Sequence, residues 1–232
     1  MKSILLMMTV ACMMSCNGSG QNNTSSDSSA TDATASTTGG ETNAITNSDS
    51  FKKYDVKSGT VYFDVTSTVA GMVVKTTEVL YFDDYGNKEC IEKFEKDPVS
   101  GKDMLSEATF CNGGFHYNYT TSQMEGAKTK NLGYGVAARF DMKDANDDLK
   151  KDLQYKELPS ETIAGQTCDV ITIVTPSGNS KVYGWNHIVL RQFVDNPQYK
   201  IKNDMSATKI DLTTPIPAGK FDVPANVKFT AM

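Results

Sequence analysis

Seven side chains carry most of the reactive chemistry in this 232-residue chain: His116 and His187, and the cysteines Cys12, Cys16, Cys90, Cys111 and Cys168. A hydrolytic triad or a multi-histidine metal site would have to recruit one of the two histidines. Neither stands near an obvious partner in sequence, and an isolated histidine on a strand or turn is usually structural. No Gly-x-Ser-x-Gly elbow is present, nor a glycine-rich phosphate loop ending in Lys-Ser/Thr, nor a His-Glu-x-x-His pair. Cys111 and Cys168 lack a nearby histidine to activate a thiolate. Asp144, Asn146 and Asp148 have calcium-loop spacing, but Leu149 stands where the loop needs glycine and Tyr155 where it needs a bidentate glutamate. Asp83, Asp84, Asn87 and Glu89 read as a solvated hairpin turn. The sequence therefore predicts a protein without catalysis, metal or cofactor.

The remaining chemistry is covalent and sits at the N-terminus. Lys2 precedes an apolar run over residues 4–14, too short to span a bilayer, and Ser15-Cys16 ends it. The layout resembles a bacterial lipoprotein signal peptide, cut just before a cysteine whose thiol carries a diacylglyceryl group. Met13 stands where such signals usually carry leucine. Cys12 competes for the role but leaves an apolar run of residues 4–10 only. Cleavage near Ser15 or Ser19 without lipid is the plain secretory alternative. The expectation is a signal over 1–15 and a lipid on Cys16, joining the chain to a membrane. Each buried CH₂ of an acyl chain contributes about 0.8 kcal/mol, so more than one chain makes the anchor stable.

Residues 17–50 are almost entirely Ser, Thr, Asn, Gly, Ala and acid, with Ile45 the one large apolar side chain. Such a stretch cannot bury enough apolar surface to offset its ordering entropy, so 16–50 reads as an anchored, disordered tether. Its mean reach is on the order of 30 Å. Residues 51–232 have the length of one domain. The chain carries a net charge of −5 with no basic stripe, so no nucleic-acid partner is expected. No second apolar run approaches the roughly 20 residues of a spanning helix. Cys90 and Cys111 flank the turn residues 97–102 almost symmetrically, which places a disulfide between them in a hairpin. A one-residue slip would put them on opposite faces, and three buried thiols are the alternative.

These residues must be held by β-strands. Alternating apolar positions recur over 60–69, 72–82, 88–95, 104–111 and 115–119, separated by turn residues such as Ala70-Gly71, Pro98 to Gly101 and Asn112-Gly113-Gly114. Phe115, Tyr117 and Tyr119 form an aromatic face on a short strand. Near Asp141 the period changes: Met142, Ala145, Leu149 and Leu153 recur at helical spacing, with Asp141 or Asp144 as N-cap. Strands then resume over 161–175, with Gly165 at a bulge or bend, and over 181–185, 188–194 and 199–212. Pro215 and Pro217 end the last of them, and 221–229 is a short extended end. One helix cannot cover both faces of a large sheet. The predicted fold is mainly β: a strongly curved antiparallel sheet, or unclosed barrel, with one short helix as lid.

Residues 81–89 (YFDDYGNKE), 161–170 (ETIAGQTCDV), 185–190 (WNHIVL) and 221–227 (FDVPANV) resemble, in that order, an uncharacterised family of exported bacterial proteins. That family is similar to the outer-membrane lipoprotein carriers LolA and LolB, and Val189 departs from the proline often found there. The resemblance implies an unclosed antiparallel barrel holding acyl chains in an apolar cavity, with a lipid or lipoprotein as ligand. Phe115, Tyr117 and Tyr119 on one side, Leu149 and Leu153 on the other, and Trp185 at the rim or in the core are the candidate cavity residues. The expected location is the cell envelope, lipid-anchored to the outer membrane and facing the periplasm. An interaction or scaffold lipoprotein with a filled core is the alternative function. Replacing the lipid cysteine (Cys16→Ser) is expected to move the protein from the membrane fraction to the soluble fraction with residues 51–232 still folded. Unchanged sedimentation would shift the anchor to Cys12.

Overall fold

The computed structural model describes residues 52–112, 114–130, 136–140, 145–175 and 178–232. Residues 1–51, with the expected signal and tether and with Cys12 and Cys16, lie outside the described residues. Six strands come first: β1 (Gly59–Val69), β2 (Met72–Asp83), β3 (Lys88–Lys96), β4 (Asp103–Asn112), β5 (Phe115–Thr120) and β6 (Glu125–Lys130). After the helix α1 (Asp147–Asp152) come β7 (Lys156–Ile163), β8 (Gln166–Thr175), β9 (Gly178–Trp185), β10 (Ile188–Asn196), β11 (Ile201–Asp211) and β12 (Lys228–Ala231).

All twelve belong to one sheet, in the order β12-β6-β5-β4-β3-β2-β1-β11-β10-β9-β8-β7. Two meanders, β1 to β6 and β7 to β11, meet where β1 pairs antiparallel with β11. Only β12 lies parallel to its neighbour, β6. The sheet has two ends and is not closed, but it coils far enough for edge strand β7 to touch β11. This is the unclosed, mainly β architecture that the alternating pattern predicts.

Three differences have local causes. The segment read as one strand over 161–175 is a hairpin, because Ala164 and Gly165 both take left-handed backbone (φ 48° and 80°). Two positive φ values make the type I′ turn that matches strand twist, so Gly165 is a turn residue rather than a bulge. Pro159 lies inside β7 instead of breaking it, because β7 is an edge strand with a register shift between Leu158 and Glu161. The helix is shorter than its periodicity predicts and is capped by Asn146, whose side chain accepts the Leu149 N–H. Asp141 and Asp144 lie outside the described residues.

The main core joins both meanders. Val61, Phe63, Leu80 and Phe82 of the first pack with Cys168, Val170, Tyr183 and Leu190 of the second. A second cluster gathers Phe140, Ile171, Ile173, Val182 and Val189, with Leu153 and Tyr155 beside it. Here Gly184 lets the Phe140 ring lie on the backbone: a Cβ at that position would fall 2.0 Å from Phe140 Cγ.

The segment before β1 is fastened by buried charge. Phe82 on β2 is directly opposite Glu89 on β3, so this glutamate shares the apolar face and is fully buried. Lys53 Nζ lies 2.7 and 2.8 Å from its two oxygens and also donates to Ala137 O. The Tyr54 hydroxyl donates to Oε1 (2.5 Å) and the Val136 N–H to Oε2 (2.7 Å). Backbone bonds finish the clasp. Lys53 and Tyr54 N–H both donate to Tyr85 O, Tyr85 N–H donates to Lys57 O, and Asp55 N–H donates to Asn186 O. Removing one member of a buried pair strands the other charge, at about 3–5 kcal/mol. We therefore expect Lys53→Met to destabilise the protein by that amount in urea unfolding. The double variant Lys53→Met with Glu89→Gln should lose less than the two singles added. Strict additivity, or a loss below about 1 kcal/mol for Lys53→Met, would show that the pair does not act as a unit.

Candidate functional site

The aromatic face lies across β2 to β6, on the side of β3 opposite the clasp. Tyr81, Cys90, Phe110 and Tyr117 are successive cross-strand partners, so they share one face. Phe115 and Tyr119 follow Tyr117 by alternation and pack into the same cluster. Phe110 and Tyr117 stack at 5.1 Å, and Phe229 of β12 sets its edge to Tyr117 at 5.0 Å and to Tyr119 at 6.1 Å. The predicted cavity wall is therefore occupied over part of its area by Phe229.

What covers the rest is the C-terminal strap, residues 212–224, rather than the helix. Asp211 starts it: its Oδ1 accepts the Thr213 and Thr214 N–H groups, which holds its carboxyl well below the usual range. Pro215 and Pro217 keep the strap from pairing as a strand. Three contacts hold it down. Asn112 Nδ2 donates to Phe221 O (2.8 Å), Lys220 pairs with Glu92, and Phe221 packs beside the aromatic cluster. The Lys220 ammonium also lies 4.6 Å above the Tyr81 ring.

Two clefts flank the strap. One of 220 Å³ is bounded by Cys90, Glu92, Phe110 and Tyr119 on the sheet and by Lys220 and Asp222 on the strap. The other, of 350 Å³, lies between Gly59, Asp83, Leu212, Pro215 and Phe221. The first is rimmed by Glu92, Lys220 and Asp222, whereas Asp83 is the one charged residue lining the second.

The remaining sequence-predicted residues lie elsewhere. Leu153 packs beside Phe140 and Ile171 in the second cluster, Leu149 is half-buried on α1, and Trp185 borders the main core. The aromatic triplet, Leu153 and Trp185 thus belong to three clusters, and neither Leu149 nor Leu153 is part of the aromatic one. The Cys90–Cys111 disulfide is not formed; Cys90, Cys111 and Cys168 are buried thiols. The register supplies the reason. A shift between Lys93 and Phe94 sets Cys90 opposite Phe110, so Cys111 points to the other face. Glu89, grouped with the turn acids by sequence, sits in the clasp instead. Sequence reasoning missed both the clasp and the strap. The parity of Glu89 with Ile91, which faces Leu80, was the available signal for the first.

Burial pushes the Cys90 thiol up to about 12, reinforced by Glu92, and the Cys111 thiol up to about 12, reinforced by Glu89. Both folded values exceed the unfolded one, so the native state keeps these protons longer. Their contribution is complete below the unfolded value of 9.0 and is lost as pH rises toward 12. The Tyr54 hydroxyl, raised by burial and then by Glu89, adds the same sign above its ordinary value of 10.0. Lys53, lowered mainly by burial, acts oppositely and adds stability as pH rises toward 10.5. The thiols therefore make stability fall as pH rises above about 9, and Cys90→Ala with Cys111→Ala should flatten that fall by up to about 1.4 kcal/mol per pH unit per thiol. Urea midpoints across this range decide it; an unchanged slope would refute the assignment.

No protein-family profile and no curated protein matches this chain. Similar solved structures include an uncharacterised conserved protein from Thermus thermophilus, with TM-score 0.48 and 8% identity over 75% of this chain and 90% of that one. A LolA superfamily protein from Nitrosomonas europaea has TM-score 0.36 and 10% identity over 74% of this chain and 93% of that one. MucB, in its complex with MucA from Pseudomonas aeruginosa, has TM-score 0.43 and 9% identity over 75% of this chain and 59% of that one.

Proposed function

We propose that this chain is a non-catalytic binding protein of the cell envelope. It is tethered through Cys16, and its strap-covered aromatic face takes an apolar or amphiphilic ligand such as a lipid or a lipoprotein acyl chain. One observation carries the reading: the part of the aromatic face that Phe229 leaves open is covered by an irregular strap bordered by two clefts. The motif resemblance to exported proteins related to lipoprotein carriers points the same way.

The ligand's chain lies along Phe110 and Tyr119, and its head meets the Lys220, Glu92 and Asp222 rim. A chain longer than the clefts displaces Phe221 and the strap. The filled-core scaffold is the second reading, favoured by the insertion of Phe229 into the same face.

The test is titration of the wild-type chain with a fluorescent fatty acid. Tyr119→Asp should weaken binding by an order of magnitude or more, because desolvating a carboxylate at the wall costs several kcal/mol. Leu153→Ala should leave binding unchanged, since Leu153 packs in another cluster. If the wild type binds no amphiphile, the scaffold reading takes its place.

A further inference from the structure

Strand β2 pairs with β1 along its whole length, from Met72↔Val69 to Phe82↔Gly59, but its pairing with β3 begins only at Thr77↔Phe94. Beyond that point Glu95 and Lys96 stay with Met104 and Asp103 of β4, past the register shift at Lys93 and Phe94. Residues 72–76 therefore have a strand neighbour on one side only. The outward row of N–H and C=O groups along this stretch is a ready template for another strand.

The side chains of this stretch are unusual for an open edge. Met72, Val73 and Val74 are 69%, 60% and 51% exposed, although they alternate between the two faces of the ribbon. The two true edges of the sheet are protected. β7 carries Pro159, a register shift and charged, exposed side chains, and β12 is four residues long. The comparable overhang of β4 is covered by Thr121, whose N–H donates to Ser106 O and whose hydroxyl donates to Leu105 O. Residues 72–76 have no proline, no bulge and no such cover among the described residues, although the Thr76 side chain is buried. The only protecting device is Lys75, exposed and without an ion pair to any described residue.

We propose that residues 72–76 of β2 form a strand-addition site for an extended, acid-bearing segment of another protein. The added strand lies antiparallel to β2 in the place β3 vacates, one alternate set of its residues, apolar, covering Met72 and Val74, and the other set facing Val73 and Lys75. Its acid faces Lys75. A second copy of the chain fits less well. Antiparallel self-pairing about Val74 sets Lys75 against Val73 of the other copy and offers that cation no acid, because residues 72–76 contain none.

The probes are two acetylated heptapeptides of alternating valine and threonine, one with a central glutamate and one with a central lysine. The protein is the full chain purified from membranes in detergent. The glutamate peptide should slow amide exchange at residues 72–76 and bind at least fivefold more tightly than the lysine peptide. In Lys75→Glu the preference should reverse. Equal binding of both peptides, or no protection of residues 72–76, would overturn the proposal. So would a dimer in native mass spectrometry that itself protects these amides, which would give the edge to a second copy.

Discussion

The frame of this protein depends on one buried ion pair. Lys53 and Glu89 are 3% and 0% exposed, in surroundings where an uncompensated charge costs several kcal/mol. The pair is tolerable because its hydrogen-bonding capacity is used: Lys53, Tyr54 and the Val136 N–H all reach the Glu89 carboxylate, and Ala137 O takes a further Lys53 proton. Apolar replacements of similar shape could match its stability, so the favourable Coulomb energy alone does not explain it. What it supplies is position. Its partners come from separate stretches of chain, and one geometry satisfies them all. The segment before β1, the turn at Tyr85, strand β3 and residues 136–137 are thereby held in register.

That clasp gives the sheet two unlike ends. The end with the β2–β3 and β9–β10 turns is closed, because Tyr85 and Asn186 bond to residues 53–57. The opposite end holds the β1–β2, β3–β4 and β10–β11 turns, and there Met72, Val73, Val99 and Tyr199 stand exposed. The faces differ as well. The face with Phe82 and Glu89 is sealed by Tyr54, whereas among the described residues the face with Cys90 and Phe110 is covered by β12 and the strap. A sheet this long, with a single six-residue helix among the described residues, has to use irregular chain as cover.

Much of this was legible in the sequence, and what was not has identifiable reasons. Strand positions followed from alternation, and turns from Ala70-Gly71 and the glycine at 101, because local backbone preference and half-burial act on neighbours in sequence. β6 escaped notice since Glu125 to Lys130 carries no apolar alternation; it is held by pairing with β5 and β12 instead. β7 escaped since its residues are exposed almost throughout and include a proline. The cysteines show the limit most sharply. Symmetry about a turn fixed their neighbourhood, but one shifted residue at Lys93 and Phe94 reversed the face of Cys111 relative to Cys90. The cover of the aromatic face was hidden for a related reason. The aromatic triplet was visible, but its cover arrives from residues 212–224, and nothing local to the triplet encodes which distant segment will lie on it.

Whether such a cover can admit a ligand is a question of relative energies. The strap is fastened by the partly buried Lys220–Glu92 pair, the Asn112–Phe221 hydrogen bond and the packing of Phe221. A hydrogen bond contributes about 1 kcal/mol net, a partly exposed ion pair about 1 kcal/mol or less, and a half-buried aromatic about 1–2 kcal/mol. Lifting the strap therefore costs on the order of 3–4 kcal/mol. Each methylene moved from water to an apolar wall returns about 0.8 kcal/mol, so about five of them offset the opening. Longer chains leave a surplus, and shorter ones do not. Under the proposed function the strap thus sets a threshold of chain length rather than a barrier to all ligands, and the clasp lies on the far side of β3 from it.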